Sequence, residues 1–221
     1  MREAYREQLD DITAGLVEMS RLAGTAMGRA STALLDADLV LAESVIAADD
    51  AIDALYEQLD QQTFDLLALQ QPVAGDLRAV VAALRISATL ERMGDLAEHV
   101  AGIARRRYPA SVVPPEMRAT LLEMGQIAER IVQKAGSVIA SHDVATALEL
   151  DADDDRMDHL HRKLFTIMLD SEWGYGVETA IDISLVSRYY ERFSDHAVSV
   201  ARRVVFLVTG EKYEDVLARQ D

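Results

Sequence analysis

Apolar residues recur at three- and four-residue spacing along nearly the whole chain, with breaks at only a few points. That spacing puts them on one face of an α-helix, not on alternating sides of a strand. The breaks are Asp36-Ala37-Asp38, Gln71-Pro72, the stretch from Tyr108 to Pro115, Ser141-His142-Asp143, and Trp173-Gly174-Tyr175-Gly176. All four prolines lie in two of them, at Pro72 and at Pro109, Pro114 and Pro115. The pattern predicts six helices, over about 3–36, 38–70, 74–107, 115–141, 144–171 and 177–209. Asp38 and Asp143 are placed to cap two of them, since a short side-chain acceptor satisfies orphan helix N–H groups. Several of these helices would run ~45–50 Å at 1.5 Å per residue. Helices of that length joined by short turns form antiparallel bundles.

The two halves resemble each other. At an offset of 100, Ser87, Glu91-Arg92, Asp95, Ala97 and Val100-Ala101 match Ser187, Glu191-Arg192, Asp195, Ala197 and Val200-Ala201. Upstream the offset becomes 105, where Asp49-Asp50 and Asp53 match Asp154-Asp155 and Asp158, and Leu55 matches Leu160. The change falls at the turn between the second and third helix of each half, where loops tolerate it. The expected architecture is all-α, a tandem pair of three-helix bundles over 1–108 and 114–212, fused into an elongated six-helix molecule.

Composition agrees with helix: half the residues are hydrophobic but only 5% are aromatic. Charge changes the picture more. With 22 Lys and Arg against 38 Asp and Glu, the net charge is −16, which disfavours nucleic-acid and anionic-membrane binding and favours cations or basic protein surfaces. The absence of cysteine excludes disulfides, thiolate zinc sites and a Cys nucleophile. The charged opening Met1-Arg2-Glu3-Ala4-Tyr5-Arg6-Glu7 lacks a signal-peptide core. No window approaches the ~18 uncharged apolar residues that span a bilayer. A cytoplasmic protein is expected.

Candidate chemistry lies in the acids. Asp49 and Asp53 share a face of the second helix, and Glu91, Asp95 and His99 share one of the third. Asp53 stands 19 residues before Pro72 and Glu91 stands 19 after it, so a hairpin would bring them to one height. In the second half Asp158 and Glu191 stand 16 before and 17 after Gly174. Facing carboxylates repel, raise one another's pKa or recruit a cation. Oxygen-rich clusters suit hard ions such as Mg²⁺, Mn²⁺, Ca²⁺ or oxidised iron. The competing reading pairs the same acids with Arg85, Arg92, Arg188 and Arg192.

The blocks Gln71-Pro72-Val73-Ala74-Gly75-Asp76-Leu77-Arg78 and Glu91-Arg92-Met93-Gly94-Asp95-Leu96-Ala97-Glu98-His99-Val100-Ala101, with the second copy from Glu191 to Ala201, resemble the PhoU family of phosphate-signalling regulators. The resemblance covers essentially the whole chain. It implies two three-helix bundles carrying metal clusters at Asp49, Asp53, Glu91, Asp95, Asp154, Asp158, Glu191 and Asp195. The ions would be divalent or trivalent, magnesium, manganese, iron or zinc being the candidates. It also implies a non-enzymatic negative regulator of the phosphate-starvation response. Such a regulator contacts a PhoR-type sensor kinase and the ATPase subunit of the Pst phosphate transporter, and forms a homodimer. His99 and Ser199 depart from the family's Asn four residues after the Asp, and Ser is a poor ligand, so a weaker second site is expected.

Two rival readings remain, an oxygen-activating carboxylate-bridged di-metal enzyme and a metal-free helical scaffold. Asp158 and His161 lie one turn apart, but a di-iron bundle needs its Glu-x-x-His type of motif twice, with two further Glu residues. His196 is expected to be a hydrogen-bonded structural residue. Arg105-Arg106-Arg107 and Arg202-Arg203 sit near helix C-termini, where positive charge meets the dipole or a partner. Trp173 and Tyr175 either pack on their turn or anchor an interface. No phosphate-binding glycine loop and no Ser/His/Asp constellation is present.

Overall fold

The computed structural model describes residues 2–219, with side chains from Tyr5 onward. In order these residues form α1 (Arg2–Asp36), α2 (Leu39–Ala48), α3 (Asp50–Gln70), α4 (Gly75–Arg107), α5 (Pro115–Ser141), α6 (Val144–Leu148), α7 (Leu150–Met168), α8 (Gly176–Thr209) and α9 (Tyr213–Leu217), with no strand among them. The two foreseen caps are in place. Asp38 accepts from the Leu41 N–H at 2.9 Å, and Asp143 from the Ala145 N–H at 2.9 Å.

The second helix of each half differs from the expectation, because it is broken in two. At Asp49 the backbone stays right-handed (φ −65°, ψ −34°), but its N–H reaches Ile46 O in a tightened turn. Glu149 does the same with Thr146 O. Neither break carries Pro or Gly, so the periodicity runs through both. The α7 helix also stops at Met168, leaving a seven-residue connection where a continuation to 171 was expected. Beyond 209 the chain adds α9, whose Tyr213 is buried and donates to Asp151 at 2.9 Å.

Four long helices form a central ring in which α1 packs on α4 and α5, and α8 packs on the same two. The α2–α3 pair covers the α1/α4 side, and α6–α7 covers the α5/α8 side. Along α1/α5, Ser20 meets Gly136, Gly24 meets Val132, and Ser31 meets Gly125. The numbers rise on one helix as they fall on the other, so the helices are antiparallel over that whole length. A Cβ on Gly136 would lie 2.3 Å from Ser20 Oγ, so a side chain there would force the Ser20 hydroxyl to turn away. The halves thus lie side by side and share one core. Tyr190, fully buried, reaches across it to donate to Ser31 Oγ at 2.7 Å.

A second link joins the ends of α4 and α8. Arg107 binds Asp182 at 2.5 Å and Glu178 at 2.6 Å, and Arg106 reaches the same Asp182 at 3.3 Å. Two arginines of the basic run, expected to meet the helix dipole or a partner, therefore tie one repeat to the other. Asp182 is only 5% exposed, and Arg107 and Arg106 supply its counter-charge.

Candidate metal centres

The α3/α4 hairpin brings the first set of acids together. Asp49, Asp95 and Glu98 each present a carboxylate oxygen within 4.8 Å of the others. That spacing suits one hard cation, whose oxygen ligands lie at ~2.0–2.6 Å. Asp49 sits over Gly94, where a Cβ would fall 2.7 Å from Oδ1, so the glycine is the floor on which this carboxylate rests. Its pKa is pushed up to about 7, first by burial and then by the charges of Asp53, Asp95, Glu98 and Glu91. Glu91 is raised as well, by burial, Asp95 and Asp53, with Arg92 opposing. The first-half acids expected to face one another thus feel one another's charge.

The second half repeats the arrangement with changes. Asp154 is pushed up to about 6, by burial first and also by Asp195, Asp158 and Asp151, against the nearby Ser194 hydroxyl. Ser194 occupies the position of Gly94 in the repeat. Burial and Asp195 raise Glu191, with Asp158 and Asp154 adding to the effect. Asp195 is raised too, by burial first and then by Asp158. Asp154 Oδ1 and Glu191 Oε2 are buried and accept no hydrogen bond among the described residues.

Pairing with arginine explains little of this. Among the described residues, the only ion pair made by these eight acids is Glu191 with Arg188. Asp153, one residue before Asp154, has both Lys134 at 2.8 Å and Arg130 at 3.7 Å. The α7 helix thus separates compensated acids on one side from uncompensated ones on the other. The oxygens converging over Gly94 fit a multivalent cation in the first half; among the described residues the second half shows no such convergence, only the buried unpaired acceptors of Asp154 and Glu191.

Sequence reasoning missed Glu98. It lies three residues after Asp95, on the same face. Val198, buried in the core, holds its position in the second half, so comparing the halves passed over it. Glu98 thus makes the two acid clusters differ, beside the His99 and Ser199 departures. His99 stacks on Tyr189 at 5.2 Å, and Ser199 Oγ accepts from Arg203 at 2.5 Å.

The other histidines and the aromatic turn are also placed. His161 is hydrogen-bonded to Ser187 at 3.1 Å and packs edge-on against Phe165. His196 corrects its expectation, because its Nε2 is buried with no hydrogen-bond partner. Burial and then Arg192, Arg92 and Arg203 hold its pKa down to about 4, so it is neutral at pH 7. Trp173 donates to Gly176 O at 2.9 Å within its turn and packs on the Tyr175 ring at 5.1 Å, while Tyr175 donates to Glu116 of α5 at 2.6 Å.

Comparison with known proteins gives a consistent result. The PhoU domain matches twice, over residues 16–104 and 121–204. The chain is 52% identical to the phosphate-specific transport system accessory protein PhoU homolog 2 of Mycobacterium tuberculosis, over 95% of this chain and 99% of that one. It is 49% identical to PhoU homolog 1 of Mycobacterium leprae, over 97% of each. The crystal structure of PhoU from Pseudomonas aeruginosa superposes with a TM-score of 0.84 at 30% identity, covering 94% of this chain and all of that one. The phosphate transport system regulatory protein PhoU from Streptococcus pneumoniae shares the fold, with a TM-score of 0.83 at 23% identity over 94% and 98% of the two chains.

Proposed function

The chain belongs to the PhoU family, and from that membership we propose that it regulates phosphate transport as a negative regulator of uptake and of phosphate-starvation signalling. It acts by occupying surfaces of other proteins. The partners are the ATPase subunit of the Pst transporter and a PhoR-type sensor kinase, and the acting form is a homodimer. No helix of the described residues is long and apolar enough to cross a membrane.

The observation that supports a metal-dependent surface is the pair of acid clusters with a single arginine between them. Asp49, Asp53, Glu91 and Asp95, joined by Glu98, would hold the cation of the first half. Asp154, Asp158, Glu191 and Asp195 would hold that of the second. A bound multivalent ion is the largest local charge and offsets part of the negative charge of an acidic face. In a chain of net charge −16, binding would thus change how strongly that face attracts a basic partner surface.

The test is a starvation-gene reporter in phosphate-replete cells, with pull-downs against kinase and ATPase. Deletion should leave the reporter on. The quadruple variant Glu91→Gln, Asp95→Asn, Glu191→Gln, Asp195→Asn should do the same and lose the partners while remaining folded. Normal repression by that variant, metal-free and stably expressed, would remove the acid clusters from the regulatory surface.

A further inference from the structure

Between α4 and α8 the chain forms an open groove of about 530 Å³. Its floor is apolar, made by Leu77, Val81 and Phe206, and its walls carry Arg78, Arg85, Arg202 and Arg203. Leu77 and Phe206 are 42% and 45% exposed, so this apolar surface is open to solvent. Only Arg202 has a carboxylate partner among the described residues, Asp151 at 3.7 Å, and it also lies over the Tyr213 ring at 5.1 Å. Arg78, Arg85 and Arg203 have none. Arg203 is half-buried and held by Ser199, its backbone carbonyl and hydroxyl both accepting from Nη1. Burial and the Arg85 charge push the Arg203 pKa down, the mark of cations crowded without an anion.

Uncompensated arginines in one concave place are out of character for a chain with 38 acids and 22 bases. Distant acids do not neutralise them, because charges beyond ~8 Å are largely screened at physiological ionic strength. Guanidinium forks match phosphate and carboxylate oxygens bidentately. Three free guanidiniums approaching from two helices suit the tetrahedral oxygens of a phosphate ester better than the coplanar pair of a monocarboxylate. The volume is that of a small-ligand pocket, ~300–1,000 Å³, and much larger than bare phosphate needs. The apolar floor asks for a hydrophobic or aromatic body beside the anion.

We propose that the α4/α8 groove is a binding site for a phosphate ester carrying an apolar body, its phosphate held by Arg78, Arg85 and Arg203 and its body laid on Leu77 and Phe206. Such an ester is either a soluble nucleotide or the headgroup of an anionic phospholipid.

The experiment titrates the full chain by calorimetry with ADP and with inorganic phosphate. In a second arm the chain is sedimented with phosphatidylglycerol or phosphatidylcholine vesicles. Chelator is present throughout, so that no cation bridges an anion to the acid clusters. ADP should bind more tightly than inorganic phosphate if the ligand is soluble; selective sedimentation with phosphatidylglycerol identifies the headgroup instead. In either arm Arg78→Glu with Arg85→Glu, both at exposed positions, should weaken binding at least tenfold. Phe206→Ser should weaken ADP more than phosphate, and Arg105→Glu, at the far end of α4, should change nothing. No binding of ADP at millimolar concentration together with no preference for phosphatidylglycerol, or binding that survives the double charge reversal, overturns the proposal.

Discussion

Replacing Asp49 by Asn should stabilise the metal-free protein at pH 8, although Asp49 is a proposed ligand. The Asp49 carboxyl is raised from 3.8 to about 7 in the folded chain. A group raised in this way contributes stability that is full below its unfolded pKa and lost as pH rises through the folded one. At pH 8 without a cation, the wild type therefore carries an unfavourable charge that Asn does not. Three pKa units at 1.36 kcal/mol each set a ceiling of about 4 kcal/mol. The carboxylate is only half-buried, and solvent screening brings this to about 1–2 kcal/mol. In a chain of this length that raises Tm by ~2–8 °C. The assay is thermal unfolding in chelator from pH 8 to pH 4, where the advantage should shrink steadily as the wild-type carboxyl protonates. With Mn²⁺ added the order should reverse, since the wild type gains a ligand-linked stabilisation that Asn weakens. An Asn variant melting at or below wild type at pH 8 in chelator would refute the reasoning.

Other outcomes follow from the same geometry. Gly94→Ala would place a Cβ 2.7 Å from Asp49 Oδ1 and 3.0 Å from Ile52 Cδ1, so titration should show cation affinity at the first cluster falling at least tenfold with the second cluster unchanged. Arg107→Ala should lower stability in denaturant unfolding, because it leaves the buried Asp182 with only the longer Arg106 contact at 3.3 Å. Arg107→Ala with Asp182→Asn should recover part of that loss, and a double variant no better than the single would place the cost elsewhere.

The helix pattern and the two N-caps were legible because Pro and Asp act through local backbone chemistry, which a sequence states directly. The kinks at Asp49 and Glu149 were not, since no Pro or Gly marks them and the apolar spacing continues across both. The facing of Asp53 with Glu91 followed from counting residues along a hairpin with a short turn. In the second half the same counting placed the end of α7 three residues too far, yet the Asp158 charge still raises the Glu191 carboxyl. Glu98 escaped because comparing the repeats rewards what both halves share, and Val198 breaks the match. The Arg107–Asp182 tie joins residues 75 apart, and only the packing of α4 on α8 brings them together. The groove arginines lie on two helices from different repeats, so no local motif announces them.

We propose that the acid clusters are cation sites of unequal strength, one in each repeat. Calorimetric titration of chelator-stripped protein with Mn²⁺ tests this. Two classes of site are expected, the tighter in the first half, where three carboxylate oxygens converge within 4.8 Å. Asp49→Asn with Asp95→Asn and Glu98→Gln should abolish the tighter class and leave the weaker one. An unaltered titration by that triple variant, or no Mn²⁺ binding by the wild type, would contradict it.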